Sequence, residues 1–85
     1  MPMRWFTAMR EAILVPDLGD ETPLLNLWIA APGDLVYAGD RLVELLLDEL
    51  IIDVTAPITG RLAEKIANPG QQVTAGQILG WIETQ

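Results

Sequence analysis

The sequence of 85 residues contains neither cysteine nor histidine. Without cysteine there can be no disulfide or thiol chemistry, and without histidine the commonest general base and metal ligand is missing. No apolar run approaches the roughly 20 residues of a transmembrane helix. Basic residues are scarce, with 5 against 12 acidic ones, and the formal net charge is −7. This charge argues against nucleic acids and anionic membrane surfaces as partners.

What remains is typical of one small folded domain. Hydrophobic residues make up 51% of the chain and charged residues 20%, which favours a globule over a disordered tail. The first residues have no clear period, so we expect an N-terminal arm over 1–11 that carries Trp5 and Phe6, and a domain over 12–85. Charged residues interrupt the apolar stretch near the N-terminus, and we expect a cytoplasmic, soluble protein.

Turn-forming residues recur every few positions and separate short apolar segments, a pattern typical of a small barrel or sandwich. The segment Leu42–Val54 also contains helix-favouring residues, but Asp48-Glu49 lies at its centre like a hairpin tip, and the β-branched residues that follow favour strands. The expected strand segments are Ala12–Val15, Leu24–Ala31, Leu35–Ala38, Leu42–Leu47, Leu50–Val54, Leu62–Ala67, Val73–Ala75 and Ile78–Ile82.

An internal repeat supports this interpretation. A shift of 37 residues lays 28–46 on 65–83 with eight identical positions, and the common unit reads I-A-x-P-G-x-x-V-x-A-G-x-x-L. The repeated turn glycines are expected to have positive φ. Two copies in so short a chain predict a pseudo-two-fold arrangement around one shared core. The glycines concerned are Gly33, Gly39, Gly70 and Gly76.

The motifs follow one another in a recognisable order. They are V-P-D-L-G at 15–19, W-x-x-x-P-G-D-x-V at 28–36, A-G-D-x-L-V-E at 38–44 and D-V-T-A-P-I-T-G at 53–60. Together they resemble the lipoyl domains of 2-oxo acid dehydrogenase complexes and the biotinyl domains of biotin-dependent carboxylases, and the lipoyl domains more closely. The resemblance implies an all-β fold, a flattened β-barrel (barrel-sandwich hybrid) of two similar antiparallel sheets.

The resemblance also directs attention to the tip between the two central strands. In lipoyl domains this tip reads roughly E-T-D-K-A, and its lysine carries the cofactor. Here the corresponding residues read L-L-D-E-L, so that Glu49 stands where the lysine is expected. The biotinyl motif A-M-K-M is absent, and the only lysine, Lys65, lies far from the tip in sequence. The resemblance therefore implies that neither lipoate nor biotin is attached.

The same tip is unusually apolar for a carrier domain. Because strand residues alternate between faces, some of its leucines should point outward. Two interpretations remain open: extra core packing in a reshaped hairpin, or an exposed apolar patch for self-association or a partner protein. The predicted interaction tip consists of Leu46, Leu47, Asp48, Glu49 and Leu50.

No catalytic or metal-binding residue is predicted. Asp48-Glu49 could act as an acid/base pair only within a pocket, and a solvated turn is the favoured interpretation. Asp34 and Asp40 follow turn glycines and are expected to accept hydrogen bonds from turn N–H groups. No calcium-loop spacing is present. Trp28 and Trp81 are expected on sheet faces or in the core.

Three hypotheses for function follow. The first is a non-acylated carrier-like domain that serves as an interaction or scaffold module. Its partner would be a 2-oxo acid dehydrogenase-type enzyme or another enzyme that recognises carrier domains. The second is a genuine carrier domain whose attachment lysine is lost or misaligned. The third is the lipoyl-like module of a transport adaptor, which is ranked last because the helical hairpin usually inserted at the tip of such modules is missing.

Overall fold

The structure, a computed structural model, describes residues 9–84 and contains only strands, turns and loops. Its strands are β1 (Arg10–Leu14), β2 (Leu24–Trp28), β3 (Leu35–Val36), β4 (Arg41–Leu47), β5 (Leu50–Thr55), β6 (Gly60–Lys65) and β7 (Ile78–Glu83). Sheet A has the order β1-β7-β6-β3, and sheet B has the order β2-β4-β5. Every pairing is antiparallel. The predicted all-β architecture of two antiparallel sheets is confirmed.

The two sheets are built on the same plan, as the sequence repeat predicts. In sheet B, β4 lies between β2 and β5, and in sheet A, β7 lies between β6 and β1. The register is also repeated. Leu24 and Ile51 lie opposite Leu46 in sheet B, and Arg61 and Arg10 lie opposite Glu83 in sheet A. Even the bulges fall at corresponding positions, so the pseudo-two-fold relation extends to irregular backbone.

The turn glycines have the predicted backbone conformation. Gly33 and Gly39 have φ of +94° and +92°, and Gly70 and Gly76 have φ of +91° and +79°. A side chain is strained in this region, which explains why glycine occurs at all four positions. The matched glycines of the repeat are therefore structural.

Side chains at the turns explain why several strands are shorter than predicted. The carboxylate of Asp34 accepts from the N–H of Ala31 at 2.8 Å, and that of Asp40 accepts from the N–H of Tyr37 at 2.9 Å. Because a side chain has taken each amide, the strand ladder stops before it. The predicted strand that began at Leu24 therefore ends at Trp28 rather than at Ala31.

In the second repeat, glutamines take the place of these aspartates. The amide oxygen of Gln71 accepts from the N–H of Asn68 at 2.8 Å, and that of Gln77 accepts from the N–H of Thr74 at 3.0 Å. The predicted strand at 73–75 is consequently not formed, and Gln72 makes only an isolated bridge to Leu24. The expected role of Asp34 and Asp40 as turn acceptors is confirmed.

One apolar core lies between the sheets. Among the described residues, no polar or charged side chain is buried in this core. The side-chain hydrogen bonds of Asp34, Asp40, Gln71 and Gln77 lie at exposed turns instead. Leu25, Leu45, Leu62 and Ile82 are fully buried at matching positions of the two sheets. Sheet A supplies one wall of the core and sheet B the other, so that each sheet covers the apolar face of its partner.

Trp28 and Trp81 lie on the sheets, as predicted. Trp28 is half-buried against the core, and its indole Nε1 donates to the carbonyl oxygen of Ala67 at 2.9 Å. The ammonium of Lys65 lies 5.4 Å from the centre of the Trp28 ring, within the range of a cation–π contact. Trp81 is half-buried in β7, opposite Ala12. Lys65 is thus a β6 residue that caps an aromatic ring.

The first and last described strands, β1 and β7, are paired in sheet A. The N–H of Thr84 donates to the carbonyl oxygen of Met9 at 2.8 Å, and Arg10 pairs with Glu83. Strand β1 begins at Arg10, so the last two residues of the predicted arm over 1–11 belong to the sheet. Trp5 and Phe6 lie outside the described residues.

We expect valine in place of Gly76 to lower the free energy of unfolding by about 1–3 kcal/mol, because its backbone is in the left-handed region. The same loss is expected for Gly39→Val. Urea denaturation followed by tryptophan fluorescence measures both. Ala75→Val, at the exposed residue beside Gly76, is the matched control and should change stability by less than about 0.5 kcal/mol. Equal stability of Gly76→Val and Ala75→Val would contradict the role assigned to these glycines.

Candidate functional site at the β4–β5 hairpin

The central hairpin ends in a tight, exposed turn. Leu47 pairs with Leu50, which leaves Asp48 and Glu49 as the two turn residues. Asp48 has a φ of +55°, a conformation that aspartate tolerates better than most residues. The hairpin expected from the sequence is present, and the helical alternative for Leu42–Val54 is excluded. Both turn carboxylates are exposed, and neither forms an ion pair with another residue between 9 and 84.

Apolar side chains surround this turn on both faces of the sheet. Leu47 and Leu50 lie on the face that continues into the core, and Leu50 is nevertheless 64% exposed because the tip extends beyond the core. Leu46 and Ile51 lie opposite each other on the outer face, where Ile51 is 61% exposed. Leu46 and Leu47 themselves are half-buried. The tip therefore combines partial packing with an exposed apolar surface.

A continuous apolar row crosses the outer face of sheet B. Leu24 of β2, Leu46 of β4 and Ile51 of β5 are cross-strand neighbours. We call Leu24, Leu46, Leu50 and Ile51 the tip patch. Ile51 was not among the predicted site residues, although counting back from the two-residue turn pairs it with Leu46. Leu24 comes from a separate strand, and no local signal in the sequence places it there.

The matching row of sheet A has a different chemistry. Its residues are Arg61, Glu83 and Arg10, and the guanidinium Nε of Arg10 lies 3.1 Å from a carboxylate oxygen of Glu83. The same backbone positions thus carry alternating charges in one sheet and only apolar groups in the other. Because solvent-facing positions of a sheet are ordinarily polar, the apolar row at the tip needs a reason other than folding.

The surroundings of the tip patch are acidic. Asp48 and Glu49 lie at its end, and the loop that enters β2 at Leu24 carries Asp17, Asp20 and Glu21. All five carboxyl-bearing residues are exposed.

Basic charge enters only farther down the hairpin. Arg41 lies 3.2 Å from Glu44 and 3.1 Å from Asp53, and it therefore neutralises part of the charge there. Such exposed pairs contribute little to stability, about 0–1 kcal/mol each. Their consequence here is electrostatic, because the tip keeps an uncompensated negative charge.

The pockets described within residues 9–84 do not include the tip residues. An open depression of about 800 Å³ runs past Leu27, Leu35 and Arg41 and includes none of the predicted tip residues. Of its three carboxylates, Asp34 and Asp40 accept hydrogen bonds from turn amides, and Glu44 pairs with Arg41. Residues 9–84 hold no group of three histidine, cysteine, aspartate or glutamate side chains placed to share a metal ion.

Residues 9–84 contain no helix with the length and hydropathy needed to cross a membrane.

Comparison with known proteins identifies the family. A family model described as biotin-requiring enzyme, of the biotin/lipoyl type, matches residues 11–82. The dihydrolipoyllysine-residue succinyltransferase component of the 2-oxoglutarate dehydrogenase complex of Bacillus subtilis (strain 168) is 35% identical over 72 residues, 82% of this chain and 17% of that protein. The lipoamide acyltransferase component of the branched-chain alpha-keto acid dehydrogenase complex of the same organism is 30% identical over 77 residues, 88% of this chain and 18% of that protein. The chain spans less than a fifth of the length of either relative.

Solved structures agree. The lipoyl domain of the 2-oxoglutarate dehydrogenase complex from Azotobacter vinelandii matches with a TM-score of 0.65 and 26% identity, over 87% of this chain and 98% of that domain. Kluyveromyces lactis urea carboxylase shares the fold, with a TM-score of 0.75 and 22% identity over 96% of this chain and 7% of its own. With the fold, the matched residues and these relatives in agreement, the chain belongs to the biotin/lipoyl domain family and is related to the lipoyl domains of 2-oxo acid dehydrogenase acyltransferases.

Proposed function

We propose that this chain is a non-acylated member of its family that binds a protein partner through the β4–β5 tip. The observation that carries the proposal is the glutamate in the exposed turn, at the position where the family resemblance places a lysine. A lipoyl or biotinyl ligase joins the cofactor carboxyl group to a primary amine, and the carboxylate of Glu49 cannot form that amide. The tip is then left with its surface alone.

The single lysine supports the same proposal. Lys65 is the last residue of β6 and pairs with Gly80, and its ammonium lies 5.4 Å from the Trp28 ring centre. A ligase would have to draw this side chain away from the ring, and its backbone is not a free turn. Lys65 is therefore a poor acceptor, even though it supplies the only side-chain amine in the sequence.

The apolar tip supports contact with a protein rather than with solvent. Leu24, Leu50 and Ile51 of the tip patch are exposed, and the matching row of sheet A carries Arg61, Glu83 and Arg10 instead. Relatives named for dehydrogenase complexes suggest the class of partner, a 2-oxo acid dehydrogenase-type enzyme or another enzyme that recognises carrier domains. The site residues of the proposal are Leu46, Leu47, Asp48, Glu49 and Leu50, with Leu24 and Ile51 added. No catalytic residue is assigned, and a cytoplasmic location stays a prediction.

A second function is favoured by the extent of the family match. Because residues 11–82 match the family model, and the lipoyl-domain structure matches over 87% of this chain, a genuine carrier domain with another acceptor is the alternative. The two functions differ in one measurable property, namely whether the wild-type protein can be acylated.

Incubation with lipoyl ligase and with biotin ligase, followed by intact mass measurement, distinguishes the two functions. We expect no cofactor mass on the wild type, because Glu49 offers no amine. We expect Glu49→Lys to gain the cofactor, because the new amine would lie in an exposed two-residue turn. Glu49→Gln is the matched control, since it removes the charge without adding an amine.

Acylation of the wild type would contradict the proposal and favour the carrier function, with Lys65 or the N-terminal amine as acceptor. Lys65→Arg in the same assay would distinguish these two amines. Failure of both wild type and Glu49→Lys to react would mean that the tip is not recognised by the ligases tested, and the assignment of Glu49 to the carrier position would lose its support.

Glu49→Lys should also leave stability nearly unchanged, because exposed turn substitutions shift the free energy of unfolding by less than about 0.5 kcal/mol. Asp48→Val is the contrasting variant and should be destabilised, since a β-branched residue is strained at a φ of +55°. Thermal unfolding followed by circular dichroism measures both. A large loss of stability in Glu49→Lys would show that Glu49 is held by contacts that the structure lacks.

A further inference from the structure

Strand β5 is an open edge of sheet B. It pairs with β4 on one side, and no strand of residues 9–84 pairs with it on the other. The pair that closes a two-residue turn is a hydrogen-bonded one, and bonding alternates along an antiparallel pair. The N–H and C=O groups of Ile51 and Asp53 therefore point away from β4. Such a row of backbone groups is a template for another strand.

The other three edge strands, β1, β2 and β3, are less suited to pairing with another chain, for a different reason in each case. Residues 70–72 cover β2, with the N–H of Leu25 donating to the carbonyl oxygen of Gln71 at 2.8 Å and with a bridge between Leu24 and Gln72. Strand β3 is 2 residues long, too short to act as a template. Strand β1 begins with the charged Arg10 and Glu11, which oppose the approach of another strand.

Within residues 9–84, β1 approaches β5, but no strand or loop forms backbone hydrogen bonds to its open side. Its sequence is L-I-I-D-V-T, without proline or lysine, and the irregularity in its pairing lies at the end away from the tip, between Arg41 and Val43. β-branched residues dominate it, and they favour strands. Leu50 and Ile51 leave the open edge apolar near the tip, at 64% and 61% exposure. Among the edge strands of residues 9–84, β5 carries the two most exposed large apolar side chains.

Charge indicates what kind of strand fits there. Asp48 and Glu49 lie at one end of β5, and Asp53 lies on its outer face opposite Glu44. A second copy of the chain carries a net charge of −7 itself, so the two domains would repel each other. A segment with basic residues would instead face the turn carboxylates with opposite charge, while Asp53 already pairs with Arg41 at 3.1 Å.

We propose that β5 binds an extended, basic segment of a partner protein by strand addition, with the partner strand continuing sheet B beyond Ile51. The inference rests on the proposed interaction function and gives it a binding mode. Main-chain bonds to Ile51 and Asp53 would provide register. Apolar partner side chains would cover Leu50 on the face that continues into the core, and basic ones would lie on the outer face beside Ile51 and Asp53.

The test uses a defined probe, a capped peptide as long as β5 in which valine and lysine alternate. We expect it to bind the wild-type domain in a titration followed by amide NMR. Bound peptide should slow hydrogen exchange at the amides of Ile51 and Asp53 by at least about tenfold, because these N–H groups become bonded. Raising the ionic strength from about 0.1 M to about 1 M should weaken binding by about tenfold, since screening then acts within roughly 3 Å.

Matched controls separate strand addition from simple attraction of charges. A valine–glutamate peptide and a valine–lysine peptide with N-methylated backbone on its bonding edge should both lose binding. Ile51→Lys should weaken binding by at least about tenfold, because lysine on an edge strand opposes pairing and repels the peptide. Leu35→Lys makes the same change at the exposed β3 residue and should alter binding by less than about twofold.

Three results would overturn the proposal. The first is binding without slowed exchange at Ile51 and Asp53, and the second is equal binding of the N-methylated peptide, which also covers the case in which Ile51→Lys does not fold. The third is dimerisation of the domain in sedimentation equilibrium that Ile51→Lys abolishes, which would make a second copy the occupant. The ligase assay and the peptide titration are independent tests. Acylation of the wild type would contradict the proposed non-acylated function without changing peptide binding to β5, so failure of the proposed function can be distinguished from failure of the strand-addition proposal.

Discussion

The fold depends on an exchange of backbone hydrogen bonds between its two halves. The turn at Gly33 donates to the carbonyl oxygen of Leu62, and the turn at Gly70 donates to that of Leu25, at 2.8 and 2.9 Å. The Gly33 turn of the first repeat is thus bonded to β6, and the Gly70 turn of the second repeat is bonded to β2. Because buried backbone groups must be bonded, neither half can leave the other without exposing its own turns. The shared core follows from this exchange, since the bonds hold the two sheets face to face.

Pseudo-symmetry makes the backbone of the tip equivalent to that of the β1–β7 pair at Arg10 and Glu83, and the side chains distinguish the two places. The pair Leu46–Ile51 at the tip corresponds to the ion pair Glu83–Arg10 near the ends. The fold therefore accepts charged residues at this position, and packing does not require leucine and isoleucine there. A surface that could have been polar and is apolar is better explained by contact with another molecule than by folding.

How far the sequence leads depends on what kind of interaction fixes each feature. The repeat, the turn glycines and the acceptor roles of Asp34 and Asp40 could be predicted, because turn geometry restricts residue type locally. The missing strand at 73–75 could not, since Gln71 and Gln77 take over amides through side chains that have no strong sequence signature. Leu24 joins the tip through strand pairing across 22 residues of sequence, which no local pattern specifies.

An open apolar edge has a cost in the free protein, and the charge distribution indicates how this cost is limited. Strand β5 resembles the segments that pair between identical chains, with β-branched residues and no proline. The carboxylates of Asp48 and Glu49 form no ion pair with another residue between 9 and 84, and a second copy that approaches carries the same net charge of −7. The arrangement opposes self-pairing and leaves the edge available to a strand of opposite charge. Selectivity and protection from aggregation would then have the same physical origin.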